Sequence, residues 1–280
     1  MKLLRYGPAG HEKPACIAPD GTTRDLSGVI SDISSATIAP QMFETIRTTD
    51  VDGLPVIADP GRIGPCVGHP GKVICIGLNY SDHAAETGAS PPSEPIVFSK
   101  AVTAICGPNE DVELPRGSDA LDWEVELAVI VGREAKYVSE ADAMDHVAGF
   151  ALFNDVSERT FQTKREGQWT KGKSHDTFGP LGPWLVTPDE VADPHNLSMW
   201  LDVNGERRQN GSTSTLIFNV PTVVSYLSQF MTLKPGDVIA TGTPPGVGMG
   251  MKPPQYLKVG DVMTLGIDGL GEQRQTVVAA

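Results

Sequence analysis

The sequence predicts an α+β fold that is mainly β, with a small N-terminal domain and linker over residues 1–68 and a larger domain over residues 69–280. Three observations support this prediction. Short apolar segments typical of β-strands recur along the chain, whereas long amphipathic helical segments are few. Glycine and proline are plentiful, with 30 and 23 occurrences, and both favour the tight turns that join short strands.

The N-terminal domain is predicted from a strand, a hairpin and a helix. Residues 2–6 form the strand, and residues 15–18 and 22–26 form a hairpin. Apolar residues between positions 38 and 46 recur loosely at helical spacing. Prolines and glycines then interrupt residues 59–71 without apolar periodicity, which indicates a linker or an ordered crossover between domains.

The larger domain is predicted from apolar runs separated by turn residues. The first strands fall at residues 73–77, 96–98, 104–106, 122–131 and 147–155. The pair Asn204-Gly205, between two further strands, is the strongest hairpin signal in the chain. An amphipathic helix follows over residues 220–231, with Pro221 near its first turn, where proline is favoured.

One of these predicted strands begins with three acids. Asp122, Glu124 and Glu126 would share one face, because side chains at i and i+2 of a strand point to the same side. Burying unpaired carboxylates is unfavourable, by on the order of several kcal/mol each, unless a cation lies between them. Asp155 ends the next apolar run, where its oxygen would converge on the first acids.

All-oxygen ligation by carboxylates suits Mg²⁺, Mn²⁺ or Ca²⁺ rather than zinc, which prefers cysteine and histidine. The sequence therefore indicates a hard divalent metal. A solvated acidic face on an edge strand is the alternative that the strand pattern alone leaves open.

Composition limits the classes of partner. The formal net charge of −13 argues against nucleic acid or an anionic membrane surface, although an anionic substrate can bind at a locally positive site. No apolar stretch is long enough to cross a membrane, and the N-terminus does not resemble a signal peptide. The four cysteines are widely spaced, so a cytoplasmic protein without structural disulfides is expected.

Several polar residues could carry chemistry. His83 and Glu86 are spaced i, i+3, so a helical turn would align an imidazole with a carboxylate, as in a general base. Lys173 is interpreted as a cation facing a developing enolate or a substrate carboxylate, since the spacing of a phosphate-binding loop is absent. Arg159 and Gln162 could donate to an anionic substrate. A structural role is the alternative for His83 and Glu86, and a solvated helix face is the alternative for Arg159 and Gln162.

Together these residues fall into a series of motifs that resembles the fumarylacetoacetate hydrolase family. The resemblance covers about residues 70–280 in the family's order. The motifs are Gly77-Leu78-Asn79-Tyr80-x-x-His83-x-x-Glu86, Phe98-Ser99-Lys100, Asp122-Trp123-Glu124-Val125-Glu126-Leu127, Asn154-Asp155-Val156-Ser157-x-Arg159-x-x-Gln162, Gly172-Lys173-Ser174-x-Asp176 and Thr241-Gly242-Thr243-Pro244.

The resemblance implies a mixed β-roll catalytic domain of the fumarylacetoacetase type behind a small N-terminal domain, usually in a homodimer that can pair into a dimer of dimers. It implies a Mg²⁺ or Mn²⁺ site, activation of water by a His–Glu pair on a lid helix, and stabilisation of an enolate by a lysine. The matching metal ligands are Glu124, Glu126 and Asp155, and the matching catalytic residues are His83, Glu86 and Lys173. The matching substrate-binding positions are Arg159, Gln162, Thr243, Tyr80, Lys100 and His175.

One departure is His175, where many members have phenylalanine, and it suggests a polar substrate tail. Within the family the sequence looks most like the sugar-acid branch, the 2,4-diketo-3-deoxy-L-rhamnonate hydrolases. The resemblance thus implies hydrolysis of a C–C bond in a 2,4-diketo acid. Decarboxylation or tautomerisation of oxaloacetate-like acids, and a non-catalytic metal-dependent sensor, are the alternatives.

Overall fold

The structure is a computed structural model that describes residues 1–82 and 90–280. It confirms the mainly β fold class. The first strands are β1 Lys2–Tyr6, β2 Lys13–Ile17, β3 Thr23–Asp25, β4 Val56–Ile57, β5 Val73–Gly77, β6 Ile96–Lys100, β7 Ile105–Cys106, β8 Val112–Leu114 and β9 Leu121–Asp122. The others are β10 Val125–Val131, β11 Val147–Asn154, β12 Ser157–Glu158, β13 Gly179–Pro180, β14 Leu185–Val186, β15 Ser198–Val203, β16 Glu206–Ser212, β17 Val238–Ala240, β18 Val262–Ile267 and β19 Gly271–Ala279.

The helices in the described part of the chain are short. The α-helices are α1 Pro40–Thr48, α2 Arg159–Thr163, α3 Thr170–Lys173 and α4 Val220–Phe230. Single 3₁₀ turns occur at Val51–Gly53, Val102–Ala104, Ala143–His146, Pro188–Glu190, Thr213–Thr215 and Gly248–Gly250. Asn219 caps α4 by accepting from the backbone N–H of Thr222, and proline occupies its first turn, as the sequence predicts.

Two sheets form most of the fold. A ten-stranded sheet has the order β4-β3-β2-β1-β14-β11-β10-β17-β5-β6, and a five-stranded sheet has the order β16-β15-β18-β19-β8. Strand β10 lies inside the larger sheet with both faces covered, because Val125, Leu127 and Val129 enter one apolar core and Ala128 and Ile130 enter another. Burial on both faces explains why this strand is apolar without alternation from Leu127 to Val131.

The N-terminal strands belong to the same sheet as the central strands. Leu3 of β1 pairs with Leu185 of β14, and Phe150 of β11 pairs with Val186, so β1 to β4 extend the larger sheet. Helix α1 buries Met42, Phe43 and Ile46. The division of the chain at residue 68 stays a prediction.

Strand directions bring four chain segments to one edge of this sheet. Strands β11 and β17 run antiparallel to β10, so both end where β10 begins. Strand β5 runs parallel to β17 and ends at the same edge. The residues that follow β5, β11 and β17 therefore lie beside the acidic start of β10.

All four cysteines, Cys16, Cys66, Cys75 and Cys106, are buried free thiols. Among residues 1–82 and 90–280, none of the helices has the length and apolarity needed to cross a membrane.

Candidate active site

Strand register places Glu124 next to Asp155. Val125 pairs with Asn154 at the start of β10, and the next residues outward face each other. The backbone N–H of Asp155 donates to the carbonyl of Glu124 at 2.9 Å. The side-chain oxygen of Asn154 accepts from the Glu124 N–H at 3.2 Å, which fixes the pair from the other side.

Three carboxylates converge at this edge. Glu124, Glu126 and Asp155 are 6%, 2% and 0% exposed, and each offers a ligand oxygen within 4.8 Å of the others. The N–H of Gly242, in the loop after β17, donates to Glu126 at 2.8 Å and orients it. Buried oxygen-only donors of this kind fit a hard divalent metal ion.

Cationic side chains surround these carboxylates. The Nζ of Lys173 donates to Glu124 and to Asp155, at 2.8 Å each. Lys100 donates to Asp155 from a fully buried position, and Arg159 lies 2.6 Å from Glu124. Burial alone would raise the pKa of Glu124, but Arg159 and Lys173 lower it to about 2. Burial would lower the pKa of Lys173, yet Asp155 and Glu124 raise it, so the side chain is an ammonium ion.

Glu126 is the carboxylate that these cations neutralise least. Within the described residues it forms no ion pair. Its burial raises its pKa well above the ordinary value, and the charges of Asp155 and Glu124 raise it further. A divalent cation at this place would offset both the burial of Glu126 and its repulsion by Asp155 and Glu124. The raised pKa of Glu126 therefore agrees with a metal site formed by the three carboxylates.

Asp122 does not join this group, although it was predicted to share a face with Glu124 and Glu126. The strand is interrupted at Trp123 and Glu124, so the alternation of faces breaks there. Asp122 instead accepts from Arg159 Nε at 2.7 Å and from the backbone N–H groups of Gly248 and Met249 at 2.7 and 3.0 Å. It thus holds the arginine rather than a metal ion.

Two short helices carry Arg159 and Lys173, whereas Lys100 ends strand β6. Arg159 begins α2 and donates to Gln162 at 3.0 Å, one turn further on. Lys173 ends α3, which packs closely on α2 at Gly172. A Cβ on Gly172 would lie 2.4 Å from the carbonyl oxygen of Glu158, so only glycine fits there without a backbone shift.

These side chains line a cavity of about 250 Å³. The predicted site residues that line it are Glu124, Glu126, Arg159, Gln162, Lys173 and Thr243. The hydroxyl of Thr243 donates to the carbonyl of Val125 and accepts from Gln209, so its place in the wall is fixed. The cavity combines acidic, basic and amide groups with an apolar wall.

Three predicted substrate-binding residues lie outside this lining. Tyr80 is fully buried, with its hydroxyl donating to the sulfur of Met199 at 3.2 Å. Lys100 lies behind Asp155 and also donates to the carbonyl of Val156. The ring of His175 packs on another aromatic ring and its Nδ1 contacts its neighbour's carbonyl. Their predicted contacts with substrate stay predictions.

The two residues predicted to activate water, His83 and Glu86, lie outside the described residues. Their roles stay predictions.

Sequence reasoning missed several residues that shape the site. Gln209 is fully buried and accepts from the N–H of Val125, although it comes from a polar hairpin strand that gave no such signal. Phe98 and Trp169 form part of the cavity wall. Leu78 lines the cavity with φ at 51°, a left-handed conformation that is unusual for leucine.

Fold and site together define the class of protein. It has a mainly β scaffold that holds three buried carboxylates and a lysine ammonium group beside a small cavity. Residues 72–278 match the family described as fumarylacetoacetate (FAA) hydrolase, C-terminal. The chain therefore belongs to the fumarylacetoacetate hydrolase family. A Burkholderia multivorans protein, named only as a candidate hydrolase, is 56% identical over 281 residues, covering 100% of each chain.

Solved structures give the same assignment. Fumarylacetoacetate hydrolase from Exiguobacterium antarcticum is 37% identical, with a TM-score of 0.91 and 100% coverage of both chains. Maleylpyruvate hydrolase from Sphingobium sp. SYK-6, in complex with manganese(II) and pyruvate, is 30% identical, with a TM-score of 0.82 over 100% of both chains. A 2-hydroxyhepta-2,4-diene-1,7-dioate isomerase from Mycobacterium marinum is 35% identical, with a TM-score of 0.78, covering 100% of this chain and 98% of that one. These relatives are named as hydrolases and as an isomerase.

Proposed function

We propose that this protein is a metal-dependent hydrolase that cleaves a C–C bond of a 2,4-diketo acid of the acylpyruvate type. The observation that carries the proposal is the convergence of Glu124, Glu126 and Asp155 on Lys173 beside the cavity, which Glu124, Glu126 and Lys173 line. Three carboxylates can hold a metal ion, and the ammonium group can stabilise an enolate that forms only along the reaction path.

Each group has one role in the proposed reaction. A Mg²⁺ or Mn²⁺ ion held by the three carboxylates would supply Lewis-acid polarisation of the 2-oxo acid end. His83, aligned by Glu86, takes a proton from the water that attacks the C4 carbonyl. The C3–C4 bond breaks and its electron pair stays on C3, which gives pyruvate enolate and a carboxylic acid. Lys173 stabilises that enolate, and a proton on C3 completes pyruvate.

Arg159 and Gln162 are the proposed anchors for the anionic substrate. Their side chains line the cavity, and Asp122 fixes the guanidinium of Arg159. Thr243, Tyr80, Lys100 and His175 are proposed to contribute to substrate binding at the positions that the resemblance gives them.

For the substrate we propose 2,4-diketo-3-deoxy-L-rhamnonate, which would give pyruvate and L-lactate in sugar-acid degradation. The support is the sequence resemblance to that branch. We further propose a cytoplasmic homodimer that can pair into a dimer of dimers. Buried free thiols support a reducing compartment, and sedimentation velocity would test the dimer.

The test is release of pyruvate, followed through lactate dehydrogenase, from 2,4-diketo-3-deoxy-L-rhamnonate and from simple acylpyruvates. Release that needs Mg²⁺, stops with EDTA and prefers the sugar acid would support the whole proposal. Preference for acylpyruvates would keep the reaction and overturn the proposed substrate.

A matched pair of variants connects the result to the site. Glu124→Gln removes a proposed ligand, whereas Glu272→Gln changes an exposed carboxylate on β19. Only the first is expected to lose activity. No pyruvate from any diketo acid, with decarboxylation or tautomerisation of oxaloacetate instead, would replace the hydrolase proposal by the decarboxylase or tautomerase alternative. The isomerase relative supports the tautomerase form of that alternative.

A further inference from the structure

The indole of Trp169 packs against residues of two neighbouring strands, β5 and β6. Trp169 directly precedes α3, four residues before Lys173, so both side chains lie on one face of the helical turn. Its ring packs edge to face on Phe98, with centroids 5.2 Å apart and an angle of 60°. On the other side it lies against Gly77, where an added Cβ would come within 2.7 Å of the indole.

This indole borders two separate spaces. One is the active-site cavity of about 250 Å³, and the other is an open groove of about 820 Å³ along β6. Among the described residues, Phe98 and Trp169 are the side chains common to both linings. They therefore form the partition between the reacting groups and the groove.

The groove has a mixed lining, in which Lys72, Gln168 and Thr170 supply polar groups and the apolar residues would suit an aliphatic chain. Ile96, Val97, Val102 and Met231 contribute to its walls, and Val97 and Val102 are 38% and 44% exposed. An acyl tail that passed the partition would gain apolar contacts there, at about fourfold in affinity per buried methylene. While the indole is in place, the acyl tail cannot reach these apolar contacts and must fit within the smaller cavity.

We propose that Trp169 is a specificity-determining residue that restricts this enzyme to 2,4-diketo acids with short acyl tails. The inference rests on the proposed function for the reacting end of the substrate and adds the length of the tail. Phe98 is less suited to this role, because the Nζ of Lys173 lies 5.0 Å from its ring centroid and its loss would disturb the proposed catalytic lysine.

The experiment measures kcat/KM of the Mg²⁺-loaded enzyme for acylpyruvates from acetylpyruvate to octanoylpyruvate. Wild type is expected to lose activity as the tail lengthens. Trp169→Ala joins the cavity to the groove, so its kcat/KM should rise with chain length by at most about fourfold per added methylene, which is the gain for full burial. Trp169→Phe keeps an aromatic ring beside Phe98 and should be intermediate, which preserves the test if the alanine variant folds poorly.

Trp200→Ala is the matched control, because Trp200 lies on the five-stranded sheet and stacks on Arg207. Its chain-length profile should equal that of wild type. Folded Trp169→Ala and Trp169→Phe proteins that keep the wild-type profile would overturn the proposal.

A binding measurement separates this inference from the proposed reaction. Calorimetric titration with saturated 2-oxo acids, from pyruvate to 2-oxodecanoate, measures how affinity depends on tail length without any cleavage. If wild type cleaves no diketo acid but the affinity of Trp169→Ala rises with chain length, the proposed reaction is wrong and the proposed role of Trp169 is supported. If neither protein binds any 2-oxo acid, both proposals fall.

Discussion

Lys171 and Lys173 show how two identical side chains on one short helix acquire different roles. Lys171 is exposed and reaches a backbone carbonyl, whereas Lys173 is 1% exposed between Glu124 and Asp155. From the sequence, Lys173 is interpreted as a cation facing a developing enolate or a substrate carboxylate, because the spacing of a phosphate-binding loop is absent. The sequence could not show that the same ammonium also pairs with two of the proposed metal ligands, because those partners come from distant strands.

Lys173→Met should therefore abolish most activity, while Lys171→Met should leave it unchanged. Loss of a charged group that stabilises a developing anion typically lowers kcat by about 10²–10³-fold. The measurement is kcat for pyruvate release, with circular dichroism of each variant as the check on folding. Full activity of a folded Lys173→Met protein would contradict the proposed enolate-stabilising role.

The acidic residues show the same difference between what sequence can predict, which is residue type and spacing, and what it cannot, which is contacts with distant segments. The types and spacing of Glu124, Glu126 and Asp155 were enough to indicate an oxygen-ligand site, and the structure brings these three together. Asp122 was placed with them by strand alternation. Its actual partners, Arg159 and the turn at Gly248, depend on an interruption in the strand that a local apolar pattern does not reveal.

At the scale of elements, prediction was most accurate where both ends of a strand carry a turn signal. Strand β5 has the predicted bounds, and the hairpin at Asn204-Gly205 joins the expected strands. The predicted strand over residues 122–131 is instead two strands, β9 and β10. The Asp155 N–H donates to the Glu124 carbonyl, and the Glu124 N–H donates to the side-chain oxygen of Asn154, in place of a continuous ladder there.

The loop after β17 allows an element-level test at Gly242. This glycine has φ at 100°, its N–H orients Glu126, and an added Cβ would lie 2.9 Å from Asn79. Gly242→Ala should lower the free energy of unfolding by more than about 1 kcal/mol and weaken metal binding, because Glu126 would move with the loop.

Gly260→Ala is the control, since Gly260 also has a positive φ, at 94°, but an added Cβ meets nothing within 4 Å. It should show the conformational cost alone, with metal affinity measured by calorimetry unchanged. Equal metal affinity in both variants would mean that the Gly242 N–H does not orient the ligand.

At the scale of the whole molecule, the attachment of the N-terminal strands was beyond sequence reasoning. Strands β1 to β3 were predictable from their own residues and the two-residue strand β4 was not, but the pairing of β1 with β14 joins positions that are far apart in the chain. A group of charged side chains strengthens the connection. Glu12 accepts from Arg62 at 2.9 Å and from Arg5 at 3.3 Å, and Arg62 also pairs with Glu110.

The pH dependence of stability should reflect Glu12. Burial would raise its pKa, but the hydrogen bond from Arg62 and the charge of Arg5 lower it below the ordinary 4.5. The ionised form of Glu12 thus stabilises the fold fully at pH values above 4.5, its ordinary pKa. This stabilisation disappears as the pH falls through the lower pKa that Glu12 has in the folded protein. Glu12→Gln should reduce the free energy of unfolding by about 2 kcal/mol at pH 7, and by progressively less in acid.

Urea unfolding from pH 7 to pH 3 would measure this difference. Glu44→Gln, at an exposed position on α1, is the control and should follow wild type throughout. A Glu12→Gln deficit that stayed constant down to pH 3 would show that Glu12 acts through packing rather than charge.

Metal binding should also be visible as stability of the whole chain, independently of any substrate. An ion that binds only the folded protein adds about 2.7 kcal/mol to the free energy of unfolding at 100 times its dissociation constant. Thermal unfolding in EDTA, Mg²⁺ and Mn²⁺ should show this gain in wild type and in Glu272→Gln, but not in Glu126→Gln.

In EDTA, Glu126→Gln should be at least as stable as wild type, because the raised pKa of Glu126 means that its charge is unfavourable beside Asp155 and Glu124. A Glu126→Gln protein that gained as much from metal as wild type would remove Glu126 from the ligand set.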